Sequence, residues 1–167
     1  MNFLEVNNLK KIYTTRFGGN QVRALSNVSF SVEKGEFVAI MGESGSGKTT
    51  LLNIIASLDK PTSGEVKLSG ENIVSISEKR ISAFRRENLG FIFQDFNLLD
   101  NFSVKDNILL PLVLEGKKYD EMEKYIRLLA EKLAIDDILT KFPYEISGGQ
   151  KQRTAVARAL ITDPKII

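Results

Sequence analysis

The sequence predicts an α/β domain with two lobes, and three observations carry that expectation. Runs near the N-terminus, such as Val28-Ser29-Phe30-Ser31-Val32, alternate apolar and polar residues with the two-residue period of an antiparallel strand that has one wet face. The almost wholly apolar run Glu36-Phe37-Val38-Ala39-Ile40-Met41 leads directly into a glycine-rich turn and then a helix-forming stretch. From about residue 95 to 160 the apolar spacing becomes helical, which predicts a helical subdomain within one domain spanning 1–167.

Taken in order, residues 3 to 12 and 22 to 34 read as strands, joined by a turn at Phe17-Gly18-Gly19-Asn20-Gln21. Glu36–Met41 follows the Lys34-Gly35 turn and suits a strand buried on both faces. Thr50-Leu51-Leu52-Asn53-Ile54-Ile55-Ala56 has helical composition and meets no breaker until Pro61. Glu65-Val66-Lys67-Leu68 alternates again and ends at the Ser69-Gly70 turn, while Leu89-Gly90-Phe91-Ile92-Phe93 reads as a second buried strand. Met122, Ile126, Leu129, Ala130 and Leu133 form one apolar helix stripe, and a last helix runs from Gln150 to Leu160, closed by Asp163-Pro164. Lys165-Ile166-Ile167 reads as the start of another buried strand.

Composition narrows the function classes. The 167 residues carry a net charge of +2 from 23 basic and 21 acidic side chains, too balanced for a nucleic-acid surface or a polybasic membrane patch. Clusters such as Glu78-Lys79-Arg80 mix both signs and read as solvated helix faces. Cysteine and histidine are both absent, which excludes disulfides, Cys- or His-ligated metals and His-based triads within these residues. No stretch has 18 consecutive apolar residues, and the N-terminus lacks the basic and apolar regions of a signal peptide, so a cytoplasmic chain without a membrane span is expected.

The chemistry concentrates in Gly42-Glu43-Ser44-Gly45-Ser46-Gly47-Lys48-Thr49, which fits G-x-x-x-x-G-K-[ST] between an expected strand and an expected helix. Glycines at 42, 45 and 47 allow the backbone N–H groups to close around phosphate oxygens, and the helix N-terminus adds its positive dipole end. Glu43 is expected to point outward. Lys48 is expected to reach the β- and γ-phosphates of a nucleoside triphosphate, and the Thr49 hydroxyl to ligate a Mg²⁺ that bridges them. Nucleotide contacts are therefore expected from Gly42 through Thr50.

With a second motif, Ile146-Ser147-Gly148-Gly149-Gln150-Lys151-Gln152-Arg153, the chain resembles the ATP-binding subunit of ABC transporters. The loop is similar to that family's Walker A motif, and the second motif to its signature sequence with Ile146 in place of Leu. Phe91-Ile92-Phe93-Gln94 resembles its Q-loop, and Leu9-Lys10-Lys11-Ile12-Tyr13 the segment that supplies an aromatic ring for adenine. The stretch from Gly42 to Val66 resembles the branch serving macrolide export, lipoprotein release and bacitracin-type peptide efflux.

The resemblance implies an ABC cassette of the P-loop NTPase fold, with an antiparallel β subdomain and a helical subdomain. It also implies ATP and Mg²⁺ as cofactors, adenine stacking on Tyr13, and Gln94 ligating Mg²⁺ or orienting water. Ser147, Gly148, Gly149 and Gln150 would contact the γ-phosphate of a second cassette across a head-to-tail homodimer. The implied partner is a separate transmembrane permease, with this chain cytoplasmic and peripheral on the inner face of the cell membrane, and the implied work is efflux of a peptide, drug or lipoprotein. Family members continue past the position of Ile167 into an Asp for Mg²⁺, a catalytic Glu and a switch His. The expectation is therefore of a C-terminally incomplete cassette that binds ATP and hydrolyses it poorly. Two alternatives stand beside it: a soluble, non-transport ABC ATPase and a short non-catalytic nucleotide-binding protein.

Overall fold

The computed structural model describes residues 2–14 and 19–167, and the chain divides between Ile81 and Ser82 into two compact units. Phe17 and Gly18, the first two residues of the turn expected at Phe17–Gln21, fall within 15–18 and lie outside the described residues.

The first unit is built on a four-stranded antiparallel sheet in the order β2-β1-β3-β4. Its strands are β1 (Leu4–Thr14), β2 (Gln21–Val32), β3 (Ser63–Leu68) and the short β4 (Glu71–Asn72). β1 carries the packing face: Leu4 and Val6 are buried in alternation, and the next buried residue is Leu9 rather than residue 8. Register shifts between Val6 and Leu9 and a left-handed Asn8 (φ 48°) account for the change of parity, as one extra residue in a bulge moves the inward face by one position. The Asn8 N–H, turned out of the ladder, donates to Ser29 Oγ at 2.8 Å. Helix α1 (Lys48–Ile55) buries Leu51, Ile54 and Ile55, so one face of this helix is anchored while its first turn stays accessible.

Three expected strands do not form. Glu36–Met41 forms neither strand nor helix, with Phe37 95% and Met41 87% exposed. A strand of this composition needs neighbours on both sides to satisfy its amides and cover its side chains. Among the described residues none pairs with it. Likewise Leu89–Phe93 and Lys165–Ile167 are reduced to a single parallel bridge between Leu89 and Ile166, beside which the Lys165 N–H donates to the Asn88 carbonyl at 3.0 Å.

The second unit is helical, containing the end of α2 (Glu78–Asn88) with α3 (Val104–Leu114), α4 (Tyr119–Lys132) and α5 (Gly148–Leu160). Val104, Ile108, Leu109 and Leu112 of α3 meet Met122, Ile126 and Ala130 of α4 and Ala157 of α5 in one core. The stripe expected at 122, 126 and 130 is thus the buried face of α4, and Leu129 and Leu133 pack at its margin. Asn107, fully buried, holds the preceding loop: its Nδ2 donates to the carbonyls of Leu99, Phe102 and Ser103 at 3.0–3.1 Å, and its Oδ1 accepts from Leu99 N–H at 2.8 Å. Ser103 and Asp106 close a capping box on α3, fixing where the loop ends and the helix begins.

Candidate functional site

In the first unit, the chain turns from Met41 through an exposed loop and enters α1 at Lys48. Gly47 occupies the N-cap in the left-handed region (φ 92°), and a Cβ there would lie 2.3 Å from the Ala24 carbonyl oxygen of β2. Only glycine meets both demands, so the loop is buttressed by the sheet at that residue. Gly47 brings no side-chain cap, and α1 leaves its first-turn N–H groups without intrahelical acceptors, all facing the same end of the dipole.

Lys48 turns its side chain back over this loop. Its Nζ donates to the carbonyls of Gly42 at 2.8 Å and Glu43 at 2.7 Å, and lies 3.5 Å from Ser46 Oγ. The loop is closed on its other side by the Ser46 N–H, which donates to the Glu43 carbonyl at 3.2 Å. A fixed cation beside free helix amides has the chemistry to receive an anion such as a polyphosphate. Glu43, Ser44, Gly45, Ser46 and Thr49 are exposed around it, and Thr50 is half-buried.

Tyr13, near the end of β1, is 42% exposed and is held on two sides. Its hydroxyl donates to Asp59 Oδ2 at 2.8 Å, and the Lys11 ammonium lies 4.7 Å from its ring centroid. Lys11 also donates to Asp59 Oδ1 and to the Lys60 carbonyl, both at 2.6 Å. Partial burial pushes the Asp59 carboxyl up, but hydrogen bonds from Lys11, Tyr13 and the Lys60 N–H outweigh it and hold the group below its ordinary value.

The second unit holds the other expected residues. Gln94 lies on an exposed turn after Phe93. Ser147 is the N-cap of α5: its Oγ accepts from Gln150 N–H at 3.3 Å, and its own N–H donates to Gln150 Oε1 at 2.9 Å. Both side chains therefore serve a reciprocal capping box, signalled in the sequence by the spacing S-x-x-Q. Gly148 and Gly149 are exposed, with no atom within 4 Å of where a Cβ would stand. Farther along α5, Arg158 Nη2 donates to the Phe96 carbonyl at 2.6 Å and Nη1 to the Asn97 carbonyl at 2.7 Å, just beyond Gln94. No trio of acidic, Cys or His side chains among the described residues could cage a metal. A cation at the loop would depend on phosphate oxygens and on a hydroxyl oxygen such as that of Thr49.

The sequence model of the ABC transporter family matches residues 25–167, taking in the phosphate loop and the Ser147 motif together. The chain belongs to the ABC transporter family. The ABC transporter ATP-binding protein YxdL of Bacillus subtilis is 49% identical over 166 residues, covering 99% of this chain and 63% of that protein. The bacitracin export ATP-binding protein BceA of Halalkalibacterium halodurans is 47% identical over 167 residues, covering 100% of this chain and 65% of its own. Relatives named for lipoprotein release, from Cytophaga hutchinsonii, and for macrolide export, from Hyphomonas neptunium, are 45% and 42% identical over 87% and 98% of this chain and 67% and 25% of their own. These bear out the branch expected from the sequence.

Among solved structures, the ATP-binding cassette MJ0796, in a dimeric post-hydrolysis state bound to ADP and Pi, superposes with a TM-score of 0.88 at 37% identity. The match covers 96% of this chain and 70% of that one. The fold is therefore the α/β P-loop NTPase fold of ABC cassettes. The chain spans 63–65% of the length of YxdL and BceA. No described helix is long and apolar enough to cross a membrane.

Proposed function

We propose that this chain is the ATP-binding part of an ABC exporter, one cassette over 1–167 that takes ATP and Mg²⁺ at the Gly42–Thr50 loop. The observation that carries the reading is Lys48, whose ammonium is held by the Gly42 and Glu43 carbonyls at the mouth of a helix with uncapped amides. In this reading Lys48 exchanges those carbonyls for β- and γ-phosphate oxygens, Thr49 ligates Mg²⁺, Tyr13 stacks on adenine, and Gln94 orients water or metal. Ser147, Gly148, Gly149 and Gln150 serve the ATP of a second copy, the arrangement to which the dimeric state of MJ0796 lends support. The partner is a transmembrane permease that holds this chain peripherally at the inner membrane face, and the cargo class is that of the branch: peptide, drug or lipoprotein.

Residues 1–167 contain no histidine, and only Asp163 among carboxylates follows the α5 motif. A water-activating base and a metal-holding carboxylate past that motif are needed for phosphoryl transfer, so this chain binds ATP and turns it over slowly. The test is Mg·ATP binding by calorimetry with steady-state hydrolysis, wild type against Lys48→Ala. Binding abolished by the substitution, with turnover at background, supports the reading. ATP binding unaffected by Lys48→Ala overturns the site, and brisk Lys48-dependent turnover overturns the account of the missing base.

A further inference from the structure

Asp59 stands four residues beyond the end of α1, the helix that starts at Lys48, and its carboxylate is divided between two β1 side chains. One oxygen accepts from the Tyr13 hydroxyl at 2.8 Å, the other from Lys11 Nζ at 2.6 Å. Lys11 in turn lies over the Tyr13 ring, 4.7 Å from its centroid, and donates to the Lys60 carbonyl. The Lys11 side chain is 12% exposed, so its charge is well withdrawn from solvent and the geometry is not that of a loose surface pair. The Asp59 backbone is fixed as well, with its N–H donating to the Asn53 carbonyl of α1 at 3.2 Å.

We infer that Asp59, with Lys11, is a positioning residue for the Tyr13 ring, fixing it as a stacking platform for a purine base and tying it to the helix that follows the phosphate loop. The inference rests on the reading of Tyr13 as the adenine contact. A phenol ring tethered at its hydroxyl has its plane set before a ligand arrives, which lowers the ordering cost of stacking. With a cation against one face, the other is left for the base, and the cation draws electron density from the ring that an electron-rich purine then meets. A phenylalanine would supply the same ring without the tether.

The experiment compares calorimetric binding of Mg·ATP with that of magnesium tripolyphosphate, which has the phosphates and no base, on this chain. The variants are Tyr13→Ala, Tyr13→Phe, Asp59→Ala and the double variant Tyr13→Phe/Asp59→Ala. Expected is a loss in ATP affinity of about tenfold for Tyr13→Ala, as for removal of one base-stacking ring. Tyr13→Phe and Asp59→Ala each lose about three- to fivefold, the worth of one hydrogen bond, and the double variant loses no more than the larger single loss. Tripolyphosphate affinity stays at the wild-type value throughout. If Asp59→Ala fails to fold, Tyr13→Phe removes the same hydrogen bond and decides alone. Equal losses for ATP and tripolyphosphate, or full additivity in the double variant, overturn the inference. Tyr13→Ala weakening ATP while Tyr13→Phe and Asp59→Ala leave it unchanged overturns the tether but keeps the stacking reading. An unchanged ATP affinity in Tyr13→Ala overturns the stacking reading and the inference with it.

Discussion

Arg158 on α5 grips the backbone of Phe96 through a 2.6 Å hydrogen bond, with Asn97 held beside it at 2.7 Å. Both loop residues sit in the left-handed region, at φ 61° and 45°, a conformation that non-glycine residues keep only when the surroundings hold them there. Burial lowers the Arg158 pKa from its ordinary value, and at pH 7 the guanidinium remains charged. The helix that begins with the Ser147 motif thus fixes, three turns later, the loop that begins at Gln94.

Arg158→Ala is expected to release this loop. Two carbonyls lose a charged donor, at a cost of about 1.5–3 kcal/mol in unfolding free energy. Amide exchange across 95–98 should accelerate before the core of α3 and α5 does. Arg158→Lys is expected to recover at most half of the loss, because a single ammonium lacks the two-pronged geometry. Urea titration and hydrogen exchange read both effects.

Asn107 satisfies four backbone groups from a fully buried position. Asn107→Leu would fill the volume but leave the Leu99 N–H and the Phe102 carbonyl without this partner, at about 2–4 kcal/mol, while the Leu99 and Ser103 carbonyls keep the Phe102 and Asn107 backbone N–H groups. A drop in the urea midpoint of that order is expected, and an unchanged midpoint would show that water replaces the side chain.

The loop glycines differ in a way that a pair of variants can separate. Gly45 has φ 81° with open space around a Cβ, so Gly45→Ala costs only the left-handed strain, about 1–2 kcal/mol. Gly47 adds a 2.3 Å clash with the Ala24 carbonyl, so Gly47→Ala must also push the loop away from β2. Gly47→Ala should weaken ATP binding at least tenfold more than Gly45→Ala when both are measured by calorimetry.

Stability against acid should carry the mark of Asp59. Its folded pKa lies below the unfolded value near 3.8, so its contribution is complete above that value and is lost as the pH falls through the folded pKa. Lys11 and Tyr13 are the titratable groups whose side chains face it. Asp59→Asn is therefore expected to be less stable than wild type at pH 6, with the gap closing below pH 4. Urea midpoints of the two proteins between pH 3 and pH 7 measure the gap directly, and the comparison cancels Glu65 and Glu123, whose pKa values are also held down by lysines.

What was legible in the sequence follows the range over which each feature is determined. β1, β3 and α4 stand near their expected places because two-residue and helical periodicities are local, and the phosphate loop was readable because its glycines and Lys48 lie within seven residues. Glu36–Met41 was not, because a buried strand is made by its neighbours and its own residues do not reveal whether those are present. Asp59 and Arg158 also escaped, since their partners lie 46–48 and 61–62 residues away and no spacing announces them. The branch assignment rested on residue identities rather than periodicity, and the named relatives agree with it.

The bare apolar stretch before the loop has a practical corollary at the level of the solution. Phe37 and Met41 face water within a few residues of Gly42, so two copies meeting at high concentration can stick through the segment that leads into the phosphate site. Turbidity should rise with protein concentration and fall when Phe37 is made Lys, and light scattering belongs beside every titration of this protein. Colloidal behaviour and ligand occupancy are adjacent properties of the same dozen residues.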